Sequence, residues 1–254
     1  MYPLQRGIAF PPPEQDTREN GNYRMDHMNL EAILNRVGAA ADRSGRDPAE
    51  IVVVAVGKTF PPETLMEAYE AGHRDFGENR AQELTVKVPA LPRDIRWHFI
   101  GPLQRNKVRI VRPAATLLHS MDRLALGEAW LKGPGAPPPV LVEINIGEEP
   151  QKAGVEPDRA PALIGALTDL GLDVRGLMTI PPQVEHPDDA RRYFEAMRLL
   201  RDRLGRDHPG IRELSMGMTD DFEVAIEEGA TVIRVGRAIF GPRNVGDPGG
   251  ERGV

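Results

Sequence analysis

Cysteine is absent from the 254-residue sequence and lysine is scarce. Without a thiol there are no disulfides, thiolate zinc sites, iron–sulfur clusters or sulfur nucleophiles, so covalent chemistry falls to Ser, Thr, Lys, Tyr, Asp, Glu or His. Of the 32 basic side chains only Lys58, Lys87, Lys107, Lys132 and Lys152 are lysines, which leaves five side-chain amines. No apolar run approaches the roughly 20 residues that cross a bilayer. Residues 1–25 also lack the apolar stretch of a signal peptide, so a soluble protein of the cytoplasm with no membrane partner is expected. A net charge of −6 argues against duplex nucleic acid as a partner bound through a basic face, because neutralising phosphates needs clustered Lys and Arg; local patches stay open. No metal constellation stands out. Asp220-Asp221 suits a helix start, where a carboxylate meets free N–H groups and the positive end of the helix dipole.

What is present suffices for a large core. Hydrophobic residues make 40% of the chain and charged ones 28%, which excludes disorder for most of it. Residues 1–25, with Pro11-Pro12-Pro13, show no periodicity and read as a disordered leader. A helix is predicted over 28–43, where Leu30, Ile33, Leu34, Val37 and Ala41 recur every three or four residues.

From Ile51 a unit repeats: a short apolar run, a polar turn, an amphipathic stretch. The runs at 51–56, 74–76, 97–100, 116–119, 140–146, 174–178, 212–214 and 231–235 read as eight strands. Helices are expected near 63–72, 79–88, 103–112, 122–131, 158–170, 187–206 and 219–228. Strict alternation selects a parallel sheet, since parallel neighbours need a crossover, and eight such units close into a barrel. An open doubly wound sheet is the competitor, but no Gly-x-Gly-x-x-Gly turn follows the first strand. The expected fold is therefore α/β, a single (β/α)8 TIM barrel over 26–243 with an extra N-terminal helix and a flexible tail over 244–254.

Barrel chemistry belongs at the C-terminal ends of the strands. Lys58 follows Val52-Val53-Val54-Ala55-Val56-Gly57, and an amine there is placed either to form a Schiff base or to reach solvent. Leu214-Ser215-Met216-Gly217-Met218-Thr219 and Arg234-Val235-Gly236-Arg237 end the seventh and eighth strands, where barrels often cradle phosphate with backbone N–H groups. Arg234 in a lumen must pair with a carboxylate or serve a ligand. Asn79 and Asn145 stand near strand ends and can orient a ligand or cap a turn. His98, among Trp97, Phe99 and Ile100, reads as a satisfied core residue rather than a general base.

Several strings together carry a resemblance: Ala55-Val56-Gly57-Lys58-Thr59, Phe76-Gly77-Glu78-Asn79, Trp97-His98-Phe99-Ile100-Gly101-Pro102-Leu103-Gln104, Gly176-Leu177-Met178, Leu214-Ser215-Met216-Gly217-Met218 and Arg234-Val235-Gly236. The chain resembles the YggS/PROSC family of pyridoxal phosphate homeostasis proteins from about residue 28 to Arg243. The resemblance implies a fold type III barrel, like the N-terminal domain of alanine racemase, holding pyridoxal 5′-phosphate (PLP) as a Schiff base on Lys58. It implies that Ser215, Met216, Gly217, Gly236 and Arg237 hold the phosphate with side chains or backbone amides. Asn79 completes the cofactor site, and Arg234 faces the pyridine nitrogen. A permanently charged arginine donates to an unprotonated ring nitrogen and weakens the cofactor as an electron sink.

Two positions depart from the family pattern: Gly57, where Ser is usual, and Arg237, where a small hydroxyl residue is common. Both put phosphate affinity in question. Lys152, in Gln151-Lys152-Ala153-Gly154, reads as a solvated loop lysine, with a transient second amine as the alternative.

The expectation is a PLP carrier in vitamin B6 homeostasis rather than an enzyme, with apo PLP-dependent enzymes as recipients and a monomeric or weakly dimeric state. Only eleven residues follow Arg243, which leaves no room for the second domain of alanine racemase. A PLP-dependent racemase or lyase, and a PLP-independent Schiff-base aldolase, are the alternatives.

Overall fold

The structure, a computed structural model, describes residues 27–241; the leader and tail expected from the sequence lie outside the described residues. Eight parallel strands form a closed barrel in sequence order: β1 (Val52–Val56), β2 (Asp75–Glu78), β3 (Arg96–Phe99), β4 (Ala115–Met121), β5 (Val140–Glu143), β6 (Val174–Met178), β7 (Glu213–Ser215) and β8 (Val232–Val235). Closure comes from β1 against β8, with Val54 opposite Arg234 and Ala55 opposite Val235.

The connecting helices are α2 (Pro62–Glu70), α3 (Ala81–Ala90), α4 (Val108–Val111), α5 (Leu124–Lys132), α6 (Ala160–Asp169), α7 (Arg191–Asp207), α8 (Phe222–Glu227) and α9 (Arg237–Phe240), preceded by α1 (His27–Arg43).

Alternation along each strand divides the apolar residues into two layers. Outward-facing Val53, Ala55, Phe76, Trp97, Phe99 and Leu118 join the helices in one continuous core, while Leu117, Leu141 and Met178 form a separate cluster in the lumen. The lumen is not all apolar. Asp75, His98, His119, Ser215 and Arg234 also point into it, each at most 5% exposed.

α1 is the extra helix, and it packs outside the barrel against α8 and α9. Ile33 and Val37 are almost wholly buried there, which stabilises the docking by roughly 1.5–3 kcal/mol per side chain. Arg36 and Arg43 pair with Glu223 and Glu227 at 3.2 and 2.9 Å, and Arg46 donates to the carbonyls of Ile226 and Ala230 at the end of α8.

Candidate functional site

A cavity of about 240 Å³ opens where the strands end. Lys58, Asn79, Thr219, Arg234, Gly236 and Arg237 supply its polar wall; Val56, Phe60, Ile100 and Ile180 supply apolar surface. It draws on both ends of the fold, because β1 and β8 are neighbours.

Lys58 lies two residues past β1 and is half-buried. Its neighbours in the chain are fixed from behind. The carbonyl of Gly57 accepts a hydrogen bond from buried Lys87 Nζ at 2.8 Å, and the N–H of Thr59 donates to Glu83 Oε2 at 2.8 Å. Lys87 also donates to Glu83 at 2.8 Å and bonds Glu78 Oε1. Thr59 sits at φ +70°, a left-handed conformation rare for a β-branched residue, and these contacts hold it there. Burial pushes the fully covered Glu78 carboxyl up to about 7, against the pull of Lys87. Gly57 itself leaves space that Leu65 takes: a Cβ would meet Leu65 Cδ2 at 2.8 Å.

Arg234 enters the lumen from β8 and is 4% exposed. Nη1 donates to Ser215 Oγ at 2.5 Å and Nη2 to the carbonyl of Thr179 at 2.8 Å. Burial lowers its pKa to about 10, opposed by Asp221 and Glu143, so the group stays charged at neutral pH. Among the described residues it forms no ion pair. Glu143 is itself pushed up to about 7, by burial first and then by Asp122.

Ser215 is fully buried beneath Arg234, and its Oγ also lies 2.8 Å from His119 Nδ1. His119 Nε2 lies 2.9 Å from His98 Nδ1, and His98 Nε2 lies 3.2 Å from Asp75 Oδ1. Arg96 closes the series from the other end of the barrel with two bonds to Asp75. Burial opposes charge on Asp75, but the bonds from Arg96 and His98 outweigh it and hold the carboxyl well below the usual range. Burial, with help from His98 and Arg234, pushes His119 well below the usual imidazole range.

The expected residues therefore divide. Lys58, Asn79, Arg234, Gly236 and Arg237 meet at the cavity. Ser215, Met216 and Gly217 do not line it; Ser215 and Met216 are fully covered, and Met216 packs in the outer core. A three-residue strand followed by a sharp turn sends their side chains into the lumen and the helix layer respectively. Gly217 makes that turn at φ +89°, where a Cβ would fall 2.6 Å from Ala225 Cβ.

Thr219 is a cavity residue that sequence reasoning left unassigned, although it lies within the quoted seventh-strand turn. His98 is the buried, doubly bonded residue expected of it. Asn145 pins its own loop, exchanging hydrogen bonds with the backbone of Glu149. Lys152 pairs with Glu149 and donates to the carbonyl of Pro181 at 2.9 Å, which ties two loops together. Asp221 occupies the N-cap position of α8, but its carboxylate makes no capping bond to the helix; it accepts from the Met218 N–H at 2.6 Å and closes the turn before α8.

A family model described as "Alanine racemase, N-terminal domain" matches residues 28–244. The pyridoxal phosphate homeostasis protein of Aquifex aeolicus is 44% identical over 220 residues, covering 84% of this chain and 96% of its own length. The chain belongs to the pyridoxal phosphate homeostasis protein family. The family's Escherichia coli K12 protein is 40% identical over 228 residues, covering 85% of this chain and 96% of that one. Among solved structures, PipY of Synechococcus elongatus PCC7942 with PLP bound superimposes with a TM-score of 0.67 at 34% identity, covering 82% of this chain and 100% of PipY. The helices described include none long and apolar enough to cross a membrane.

Proposed function

We propose that this protein binds PLP at the C-terminal mouth of the barrel and acts in intracellular PLP homeostasis as a carrier. The observation that carries the reading is the meeting, in one cavity, of an amine on Lys58, the guanidinium of Arg234 and the uncapped turn at Gly236.

The residues suit the cofactor. Asn79 Oδ1 is buried at the cavity wall with no partner, as an acceptor awaiting a donor would be. Gly236 starts α9 with no side-chain cap, and a Cβ there would press on the Val56 carbonyl at 3.2 Å, so its missing side chain lets the backbone approach an anion. Arg234 carries a charge that, among the described residues, no carboxylate meets in an ion pair.

When bound, PLP supplies an aldehyde that condenses with amines and a ring that can draw electrons. Lys58 provides the amine, on a backbone held by Lys87 and Glu83. Arg234 would meet the ring nitrogen as a permanent donor, which would disfavour a protonated ring and with it carbanion chemistry. The N–H groups of Gly236 and Arg237 and the hydroxyl of Thr219, all at the cavity wall, would hold the phosphate. Arg237 adds charge where a hydroxyl is common in the family, its guanidinium 3.7 Å from Asp220 and exposed. A cytoplasmic location, a monomeric or weakly dimeric state and delivery to apo PLP-dependent enzymes belong to the same reading, supported by the role for which the relatives are named.

The test is chemical. Borohydride reduction of the PLP-loaded protein should fix the cofactor on a single peptide containing Lys58, and Lys58→Ala should lose the visible band while retaining some PLP through the phosphate end. Label on another lysine would reassign the amine. Failure of the wild-type protein to bind PLP would overturn the function.

A further inference from the structure

The lumen contains a hydrogen-bonded series whose direction can be worked out from its two ends. Asp75 is an ionised carboxylate and can only accept, so His98 Nε2 carries the proton that meets Oδ1 at 3.2 Å. Arg234 can only donate, so Ser215 Oγ accepts from Nη1 at 2.5 Å. Between these ends lie His98 Nδ1, His119 Nε2, His119 Nδ1 and Ser215 Oγ, at contacts of 2.9 and 2.8 Å.

One arrangement gives every donor along the series an acceptor: Ser215 O–H donates to His119 Nδ1, and His119 Nε2–H donates to His98 Nδ1. The reverse would aim two donors at Ser215 Oγ and leave its own proton stranded, since among the described residues that oxygen has no third hydrogen-bond partner. Ser215 is 0% exposed, which makes a stranded proton costly.

We infer that His119 and Ser215 are positioning residues for Arg234, in a one-way series Arg234→Ser215→His119→His98→Asp75 that runs from the cofactor cavity to the opposite end of the barrel. This deepens the proposed function and rests on it for the role of Arg234. Ser215 offers Arg234 a neutral acceptor, so the guanidinium is oriented without losing its charge to a carboxylate. The hydroxyl proton of Ser215 points away from the cavity, so Ser215 supports Arg234 and is no phosphate ligand.

Two measurements decide the matter. In the cofactor-free protein, 15N-labelled histidine observed by long-range proton–nitrogen NMR should show His119 and His98 both neutral, with bare Nδ1 and protonated Nε2. A proton on His119 Nδ1 would overturn the direction, whatever the protein does with PLP. Ser215→Ala should weaken binding of PLP and of phosphate-free pyridoxal by the same factor, and should displace the absorption maximum of bound PLP. His119→Leu should displace it too, with His119→Asn, which keeps an acceptor for Ser215, returning it toward wild type. A loss confined to the phosphorylated form would make Ser215 a phosphate ligand, and unchanged spectra in both Ser215→Ala and His119→Leu would remove the positioning role. Failure of the wild-type protein to bind either vitamer would instead count against the function, leaving the NMR result to stand alone.

Discussion

Lys87 Nζ donates to the carbonyl of Gly57 across 2.8 Å, one peptide before Lys58. The same ammonium is the counter-ion of Glu78, so the lysine that holds the backbone of the cavity amine also neutralises the most deeply buried carboxylate of β2. Lys87→Met should cost about 3–5 kcal/mol at pH 7.5, because removing one partner of a buried pair leaves the other uncompensated. The loss should shrink as pH falls toward 4.5, where Glu78 takes up a proton in the folded and unfolded states alike. Urea denaturation across that range checks both statements.

Glu143 makes a second pH statement. Its carboxyl is raised from 4.5 to about 7 by burial, reinforced by Asp122 and opposed by Arg234. A raised folded pKa means that stability is fully present below about pH 4.5 and lost as pH climbs through 7. The loss amounts to about 3 kcal/mol at alkaline pH. Glu143→Gln should therefore match wild type near pH 4 and exceed it at pH 8, as read by calorimetric melting.

Thr219 lines the cavity where the proposed binding mode puts the phosphate, and its hydroxyl is the one property Val lacks. Thr219→Val should reduce PLP affinity by about tenfold, the scale of one hydrogen bond to an anion, and leave pyridoxal binding unchanged. Equilibrium dialysis with both vitamers distinguishes this from a general loosening of the site.

In the proposed binding mode, Arg234→Glu would replace a donor to the ring nitrogen by a group that favours a protonated ring. The absorption spectrum of the bound cofactor should change accordingly. An identical spectrum in a folded variant, established by circular dichroism, would show that residue 234 does not touch the ring.

Much of this arrangement was legible in the chain. Parallel strands covered on both faces read as short apolar runs, which is why 174–178 coincides with β6 and the other seven runs overlap their strands with ends displaced by a few residues. Helix detail was less visible. The stretch 103–112, expected as one helix, is a 3-10 turn at Arg105–Lys107 followed by the four-residue α4, confined between Pro102 and Pro113. The helix expected at 187–206 opens with a 3-10 turn over Pro187–Ala190, and α9 is too short to show any period.

At the site, Lys58, Asn79, Arg234, Gly236 and Arg237 could be named because strand ends point to one face of a barrel. Asp75 and His119 escaped notice because their partners are 23 and 96 residues away, joined only when the sheet closes. Alternation offered a clue. His98 lies between outward Trp97 and Phe99, and His119 sits two residues from lumenal Leu117, so the two imidazoles share an interior on adjacent strands.

The pairing of β1 with β8 sets a timetable for synthesis. Lys58 emerges from the ribosome long before Arg234 and Gly236, so in the proposed binding mode the amine exists before the β8 turn that would grip the vitamin's anionic tail. Capture of the cofactor should consequently mark the final stage of folding, with incomplete chains unable to withdraw it from the cell's pool.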